Sequence, residues 1–300
     1  MTSSSMTPNI AEQYDYLRAV GRMPDGEIDI ARTALMLAAL DRPGISFQKY
    51  EHHLEILGLD LANEGYKAET AEDRALALTD VMNARHGYEG NEKNYDDLQN
   101  ANLMSVIDRR LGIPVSLGIL YIHAARARGW QAEGVNFPGH FLVRVFGTSD
   151  QAIVDPFHSG RLLDARHLRD LIRTIGGDKA ELKPEFYAAI SDRGILVRML
   201  NNIKVRSLQA NDFSLAADVL ERMSLIDPEK IEHTYEHGIL LAYLGEHDKS
   251  RQKLLTCLDK LQDGQENSSL KKHILETLKD LSKATNKNVL SLISNDRDEE

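Results

Sequence analysis

The stretch GVNFPGHFLVRV (residues 134–145), followed by IVDPF (residues 153–157), decides the fold of the middle of this chain. Val, Ile and Phe recur there in short runs, which are separated by a Pro-Gly pair and by a polar turn. Short runs of this composition between turn residues are typical of antiparallel strands joined by hairpins. The sequence therefore predicts three short strands, at EGVNF, HFLVRVF and QAIVDPF.

Two residues with catalytic chemistry flank the predicted hairpin. His140 opens the second run, and Asp155 ends the third run 15 residues later. A strand, a turn and an antiparallel return take up about this length, so we expect the ring and the carboxylate to lie side by side. A carboxylate that accepts from one ring nitrogen leaves the other nitrogen free to take a proton. The spacing therefore predicts a His-Asp pair.

The sequence on either side of these strands is helical. Apolar residues recur at i, i+3, i+4 and i+7 in residues 28–40, and similar patterns predict further helices. A helix that begins at Ser116 is apolar nearly all round, which is typical of a buried helix. Helices followed by a small antiparallel sheet indicate an α+β domain. The further predicted helices lie at residues 10–20, 47–64, 70–85, 103–110 and 162–177.

After about Pro184 the sequence is predicted to be all-helical. A comparison of the chain with itself at an offset of 34 residues pairs Leu220 with Leu254 and Met223 with Cys257. This period is that of tetratricopeptide repeats, which the segment resembles.

Composition disfavours several classes of protein. The formal net charge is -10, and phosphate binding needs a basic surface, so we expect no nucleic-acid partner. Cys257 is the one Cys, so neither an intramolecular disulfide nor a cluster of Cys ligands can form. His52 and His53 are expected on the surface, and His86, His123 and His158 are scattered, so we predict no metal and no cofactor. No membrane-length apolar run or leader pattern is visible, so we expect a cytoplasmic location and no membrane partner.

Residues 109–130, RRLGIPVSLGILYIHAARARGW, together with GVNFPGHFLVRV and VDPF, resemble bacterial proteins of the SirB/YchA type. Proteins of that family carry a transglutaminase-like domain followed by tetratricopeptide repeats, and the resemblance covers about residues 28–265. It implies a papain-type core of helices and a small antiparallel sheet. The superfamily has a Gly-x-Cys at a helix start, a His opening a strand and an Asp-Pro ending the next. These motifs carry over to His140 and Asp155, whereas the Cys has no counterpart.

The resemblance and the helical patterns together predict four segments. Residues 1–26 are expected to form a flexible N-terminal tail, and residues 27–183 the transglutaminase-like domain. Residues 184–293 are expected to form a tetratricopeptide-like helical domain, and residues 294–300 an acidic tail.

Two residues compete for the position of the missing Cys. Matching Gly-x-Cys onto Gly112-Ile113 gives Pro114, whereas the nearest hydroxyl belongs to Ser116. A Ser hydroxyl is hardly ionised at neutral pH and is a poor nucleophile without activation. A Ser before an apolar helix is also the usual N-cap. Ser116, His140 and Asp155 are therefore predicted as a triad that is either vestigial or functional.

Two alternative functions are consistent with the missing Cys. The first is a non-catalytic transglutaminase-like protein that binds a peptide or protein partner in a regulatory or scaffolding role. The alternative is a Ser-His-Asp hydrolase or acyl transferase acting on peptide or amide substrates. The long polar segment at residues 86–103 is expected to line the mouth of the site. The predicted binding residues are Asn91, Asn100, Asn102, Arg109 and Asn136.

Overall fold

A computed structural model describes residues 8–177, 179–261 and 268–281 of the chain. The chain divides into two units, residues 1–199 and residues 200–300. No helix within the described ranges is both long and apolar enough to cross a lipid bilayer. The predicted acidic tail at residues 294–300 lies outside the described residues, and the predicted domain bounds stay predictions.

The first unit opens with four helices, α1 (Ile10–Val20), α2 (Ile30–Leu40), α3 (Phe47–Glu64) and α4 (Ala71–Thr79). Asn9 caps α1 by accepting from the Glu12 N–H, and the Glu12 carboxylate accepts from the Asn9 N–H in return. Leu17 and Val20 on α1 are fully buried. The described part of the predicted N-terminal tail therefore contains a packed helix.

The segment after α4 is less regular. A π-helical turn (Asp80–Arg85) leads to β1 (Glu89–Gly90), a 3-10 turn (Leu98–Ala101), α5 (Leu103–Arg109) and β2 (Leu111–Gly112). β1 pairs in parallel with β2, so that Gly90 faces Gly112. This short pairing ties the beginning of the polar segment to the chain that precedes the buried helix.

The buried helix α6 (Pro114–Ala127) begins two residues earlier than predicted. Pro suits the first helical position, because its missing N–H would have no partner there. A Cβ at Gly118 would lie 2.3 Å from the Phe141 ring, so the absent side chain lets this ring pack on the helix. The helix and the sheet are thereby brought into close contact.

The sheet has five strands in the order β6-β5-β4-β3-β7, all pairs antiparallel. The strands are β3 (Ala132–Val135), β4 (Leu142–Phe146), β5 (Gln151–Asp155), β6 (Arg161–Leu163) and β7 (Ala189–Ile190). The three predicted strands correspond to β3, β4 and β5. The structure confirms the α+β fold class.

Two further helices complete the first unit. α7 (Ala165–Gly176) buries Leu168 and Ile172 against the sheet residues Val135 and Leu142. α8 (Asp192–Gln209) begins at Asp192, whose carboxylate accepts two hydrogen bonds from Arg126 at 2.6 and 2.9 Å. The boundary between the two units falls within α8, after Met199.

The second unit continues with α9 (Phe213–Ile226), α10 (Ile231–Tyr243), α11 (His247–Lys260) and α12 (Ser268–Leu281). Cys257 and Leu254 on α11 pack in one core with Ile239 on α10 and Ile274 on α12. The described part of this segment is mostly helical. The prediction that the chain is all-helical after about Pro184 is wrong at β7, which pairs with β3. Its assignment to tetratricopeptide repeats stays a prediction.

Candidate functional site

Asp155, at the end of β5, is almost fully buried and is held by three donors. Its Oδ1 accepts from the backbone N–H groups of Phe157, at 3.0 Å, and His158, at 3.3 Å. Its Oδ2 lies 2.7 Å from Nδ1 of the His158 ring. The imidazole that contacts this carboxylate is therefore three residues away along the chain, in the turn between β5 and β6.

His140 lies two residues before β4, directly after the turn at Pro138-Gly139. Gly139 has φ 68°, a value that favours glycine. The His140 ring centroid is 6.3 Å from that of Phe137, and the His140 carbonyl accepts from Arg198 Nη2 at 3.0 Å. The turn and α8 together fix this histidine in place.

Burial lowers the pKa of His140 below its usual value, whereas the nearby Asp155 carboxylate acts in the opposite direction. The charges of His158 and Arg198 lower this pKa further. Between the described side chains of His140 and Asp155 the structure shows no hydrogen bond. The two residues are electrostatic neighbours, but the ring that the carboxylate orients is that of His158.

Ser116 is the third residue of α6 rather than its N-cap, and it is fully buried. Its hydroxyl donates to the Asn100 carbonyl at 2.7 Å and accepts from the Ile113 N–H at 3.1 Å. Pro114 takes the first position of the helix. Ser116 forms no hydrogen bond with His140, both residues being within the described part. The structure therefore brings Asp155 near His140 but does not bring Ser116 into bonding contact with either.

Four of the five predicted binding residues hold the polar segment together. Asn91 Nδ2 and Arg109 Nη2 both donate to Asn100 Oδ1, at 3.0 and 2.5 Å. Asn102 caps α5 through the Ser105 N–H and donates to the Ala38 carbonyl at 3.1 Å. Asn136, the fifth, is exposed just after β3. Ligand binding by these residues stays a prediction, because the contacts of the first four are with the protein itself.

The polar segment packs on the turn that carries His158. The Gly90 N–H donates to the Phe157 carbonyl at 3.0 Å, and a Cβ at Gly90 would lie 2.4 Å from that oxygen. The Tyr95 ring meets the Phe157 ring edge to face, with centroids 5.6 Å apart. The segment and the turn therefore form one surface.

We name this surface the imidazole face and define it by Tyr95, His140, Phe157, His158 and Arg198. Phe157 contacts His158 edge to face at 5.2 Å, and Arg198 is anchored on the His140 carbonyl. Burial lowers the pKa of Arg198, and Tyr95 acts in the opposite direction, so these two groups also lie near each other. The face combines two imidazoles, one guanidinium and two aromatic rings.

Tyr121 on α6 lies behind the face. Its hydroxyl is buried and finds no hydrogen-bond partner among the described residues. Burial raises its pKa, and the Asp155 charge raises it further, so the phenol stays protonated. A Cβ at Gly160 would lie 2.7 Å from this hydroxyl, so the turn after β5 requires glycine here.

A second imidazole cluster lies apart from the face. His53 Nε2 is 2.7 Å from the Tyr88 hydroxyl and 2.8 Å from Arg110 Nη1, and His86 Nε2 is 2.8 Å from Asp60. His52 is exposed, as expected, whereas His53 is half-buried. Burial lowers its pKa to about 4, and the charges of Arg110 and His86 lower it further. Within the described ranges, no three His, Cys, Asp or Glu residues are grouped so as to hold a metal ion.

The fold and the site define a transglutaminase-like domain in which no Cys occupies the start of the buried helix. The chain belongs to the transglutaminase-like superfamily, whose family model matches residues 48–201, and to the UPF0162 family of proteins.

Three relatives illustrate the range of similarity. A UPF0162 protein of Xylella fastidiosa (strain 9a5c) is 30% identical over 239 residues, which cover 79% of this chain and 85% of that protein. A UPF0162 protein of Vibrio cholerae is 27% identical over 162 residues, or 54% of this chain and 60% of that protein. F-box only protein 21 of Homo sapiens is 27% identical over 198 residues, or 62% of this chain and 31% of that protein. No solved structure matches the chain.

Proposed function

We propose that this protein binds a peptide or protein partner at the imidazole face, without the covalent chemistry of a cysteine transglutaminase. The observation that carries the proposal is the position of Ser116. Its buried hydroxyl is bonded to the backbone of Asn100 and Ile113, so it is not available to attack a substrate. The alternative, a hydrolase with Ser116 as nucleophile, draws no support from this arrangement.

The composition of the imidazole face supports binding. Tyr95 is 40% exposed, and the His158 side chain is 44% exposed. Exposed aromatic rings and arginines supply much of the energy of protein interfaces. The hydrogen bonds among Asn91, Asn100 and Arg109 hold the polar segment in place before a partner arrives. A preorganised surface loses less conformational entropy on binding, which favours affinity.

The second unit supports a regulatory or scaffolding role. Its sequence partly matches itself at an offset of 34 residues, and its helices are paired. Both features fit tetratricopeptide repeats, which form extended binding surfaces when they stack. The resemblance to SirB/YchA-type proteins also supports a regulatory or scaffolding role. The net charge of -10 favours a protein partner over a nucleic acid, and a cytoplasmic location is part of the proposal.

A quantitative capture experiment tests this function. The wild-type chain, Tyr95→Ala and Tyr66→Ala are immobilised, exposed to a lysate of the source organism and compared by mass spectrometry. Tyr66 is 66% exposed and does not belong to the imidazole face, which makes it a matched control. We expect Tyr95→Ala to reduce capture of specific partners at least tenfold, as for loss of an interface residue worth more than about 1.4 kcal/mol. Equal capture by all three proteins would refute the proposal.

A further inference from the structure

The contact between Asp155 and His158 has the geometry of a general-base dyad. The carboxylate is 3% exposed, and two backbone N–H groups fix its orientation. Its Oδ2 accepts from Nδ1 of His158 at 2.7 Å, which leaves Nε2 as the basic atom of the neutral ring. Within the described part of the chain, Nε2 of His158 makes no hydrogen bond, and the side chain is 44% exposed.

We propose that Asp155 and His158 act as a dyad that activates water to hydrolyse an acyl ester bound at the imidazole face. This inference goes beyond partner binding, because binding alone needs no base. It also assigns the base to a histidine that the strand pattern does not indicate. Neither proposal depends on the other.

The reaction balances without any further reagent. His158 Nε2 takes a proton from water as the water oxygen forms a bond to the acyl carbon. Asp155 stays ionised and stabilises the imidazolium that results. The tetrahedral intermediate then collapses, the bond to the leaving alkoxide breaks, and the imidazolium returns its proton to that oxygen. The products are a carboxylic acid and an alcohol, and the dyad is restored.

The other polar groups of the site are less suited to this role. The His140 ring lies against Phe137 and has no hydrogen bond to a carboxylate among the described residues, so nothing fixes its tautomer. Ser116 is bonded to backbone atoms. Arg198 has a different use, because a guanidinium on the same face can stabilise the oxyanion that develops in the reaction.

The chain contains a matched control pair in Asp164 and His167. The two pairs have the same separation along the chain, and His167 Nδ1 lies 2.9 Å from Asp164 Oδ1. Asp164 is the N-cap of α7, and its side chain is 67% exposed. Water screens this second pair, and it lies outside the imidazole face. Comparing the two pairs therefore shows whether any His-Asp contact is enough for hydrolysis, or whether a buried carboxylate beside a binding surface is needed.

The test is hydrolysis of p-nitrophenyl acetate by the full chain, measured for the wild type, His158→Gln and His167→Gln. We expect His158→Gln to lower the protein-dependent rate at least tenfold, since general-base catalysis contributes about 10²-fold or more. His167→Gln should stay within about twofold of the wild type, because its pair is screened by solvent. The inference is overturned if no rate above buffer is found, if His158→Gln keeps the rate, or if His167→Gln loses it equally.

Asp155→Asn provides a second measurement, because an amide no longer stabilises the imidazolium. We expect the rate to fall at least tenfold, in line with loss of the orienting carboxylate of a triad. Thermal unfolding shows whether this variant is folded. If it is not folded, the pH profile of the wild type decides. The rate must rise as an imidazole deprotonates, and His158→Gln must abolish that rise; a flat profile overturns the inference. If the wild type captures its partner but shows no hydrolysis above buffer, the dyad alone is refuted.

Discussion

Ser116 on α6 donates its hydroxyl to the carbonyl of Asn100 at 2.7 Å, and this bond joins the buried helix to the polar segment. The same carbonyl also accepts from the Ile113 N–H at 3.2 Å. The residue predicted as a nucleophile thus has a structural contact in the first turn of the buried helix. Its hydroxyl contributes to the stability of the site.

Replacement of Ser116 by Ala should therefore lower stability. The Ile113 N–H and the Asn100 carbonyl keep their contact with each other, so only part of the hydrogen bonding is lost. We expect the free energy of unfolding to fall by about 1–2 kcal/mol, as for a buried hydrogen bond. Urea unfolding followed by circular dichroism measures this change.

Thr174→Ala is the matched control for this prediction. The Thr174 hydroxyl also donates to a backbone carbonyl, that of Asp170, but it does so at an exposed position. Its loss should change the free energy of unfolding by less than about 0.5 kcal/mol. If Ser116→Ala left the free energy of unfolding unchanged, the Ser116 hydroxyl would not make the hydrogen bonds that the structure shows.

The sequence predicts the sheet because the runs EGVNF, HFLVRVF and QAIVDPF, which correspond to β3, β4 and β5, each combine β-branched and aromatic residues between turns. The same pattern does not predict β6 and β7, because strands of three and two residues are too short to show any periodicity. Their positions depend on pairing with β5 and β3, which is a tertiary effect. The helix α6 is predicted, but its start is misplaced because Pro114 reads as a breaker rather than as a first helical residue.

The site is less predictable than the fold. Hairpin spacing places Asp155 beside His140. The carboxylate, however, also accepts hydrogen bonds from the turn that follows β5, and this turn places the His158 ring against the carboxylate. A signal was present in the string DPFH, because an Asp often accepts from backbone groups two and three residues further on. The position of His53 had no such signal, since its partners Tyr88 and Arg110 are distant in sequence.

The ion pair between Arg126 and Asp192 should contribute strongly to the first unit. The Asp192 side chain is 7% exposed, and Arg126 also donates to the Ala132 carbonyl at 3.0 and 3.1 Å. Arg126→Met would leave a buried carboxylate without its counter-charge. We expect the free energy of unfolding to fall by about 3 kcal/mol, the lower end for a broken buried pair, since Arg126 is partly exposed.

Two further variants make this prediction specific. The double variant Arg126→Met with Asp192→Leu removes both charges and should recover part of the loss, because no uncompensated charge remains. Arg173→Met breaks an exposed pair with Asp170 at 3.7 Å and should cost less than about 0.5 kcal/mol. If Arg126→Met and Arg173→Met had equal effects on urea unfolding, the anchoring role of Arg126 would be disproved.

His237 on α10 should make the second unit sensitive to acid. Its ring is buried, and Nδ1 finds no hydrogen-bond partner in the described part of the chain. Burial lowers the pKa of His237 to about 3, and the charges of Lys253 and Lys249 lower it further. Below pH 6.5, His237 takes up a proton in the unfolded chain but not in the folded chain. The free energy of unfolding must therefore fall as the pH falls.

Replacement of His237 by Leu tests this linkage. Between pH 7.5 and pH 5.0, the wild type should lose about 2 kcal/mol of unfolding free energy through this residue, and His237→Leu should not lose that part. Urea unfolding of the full chain at both pH values measures the difference, with the exposed His52→Gln as a control that keeps the wild-type slope. An identical pH dependence in wild type and His237→Leu would mean that His237 becomes protonated in the folded chain, contrary to its buried position.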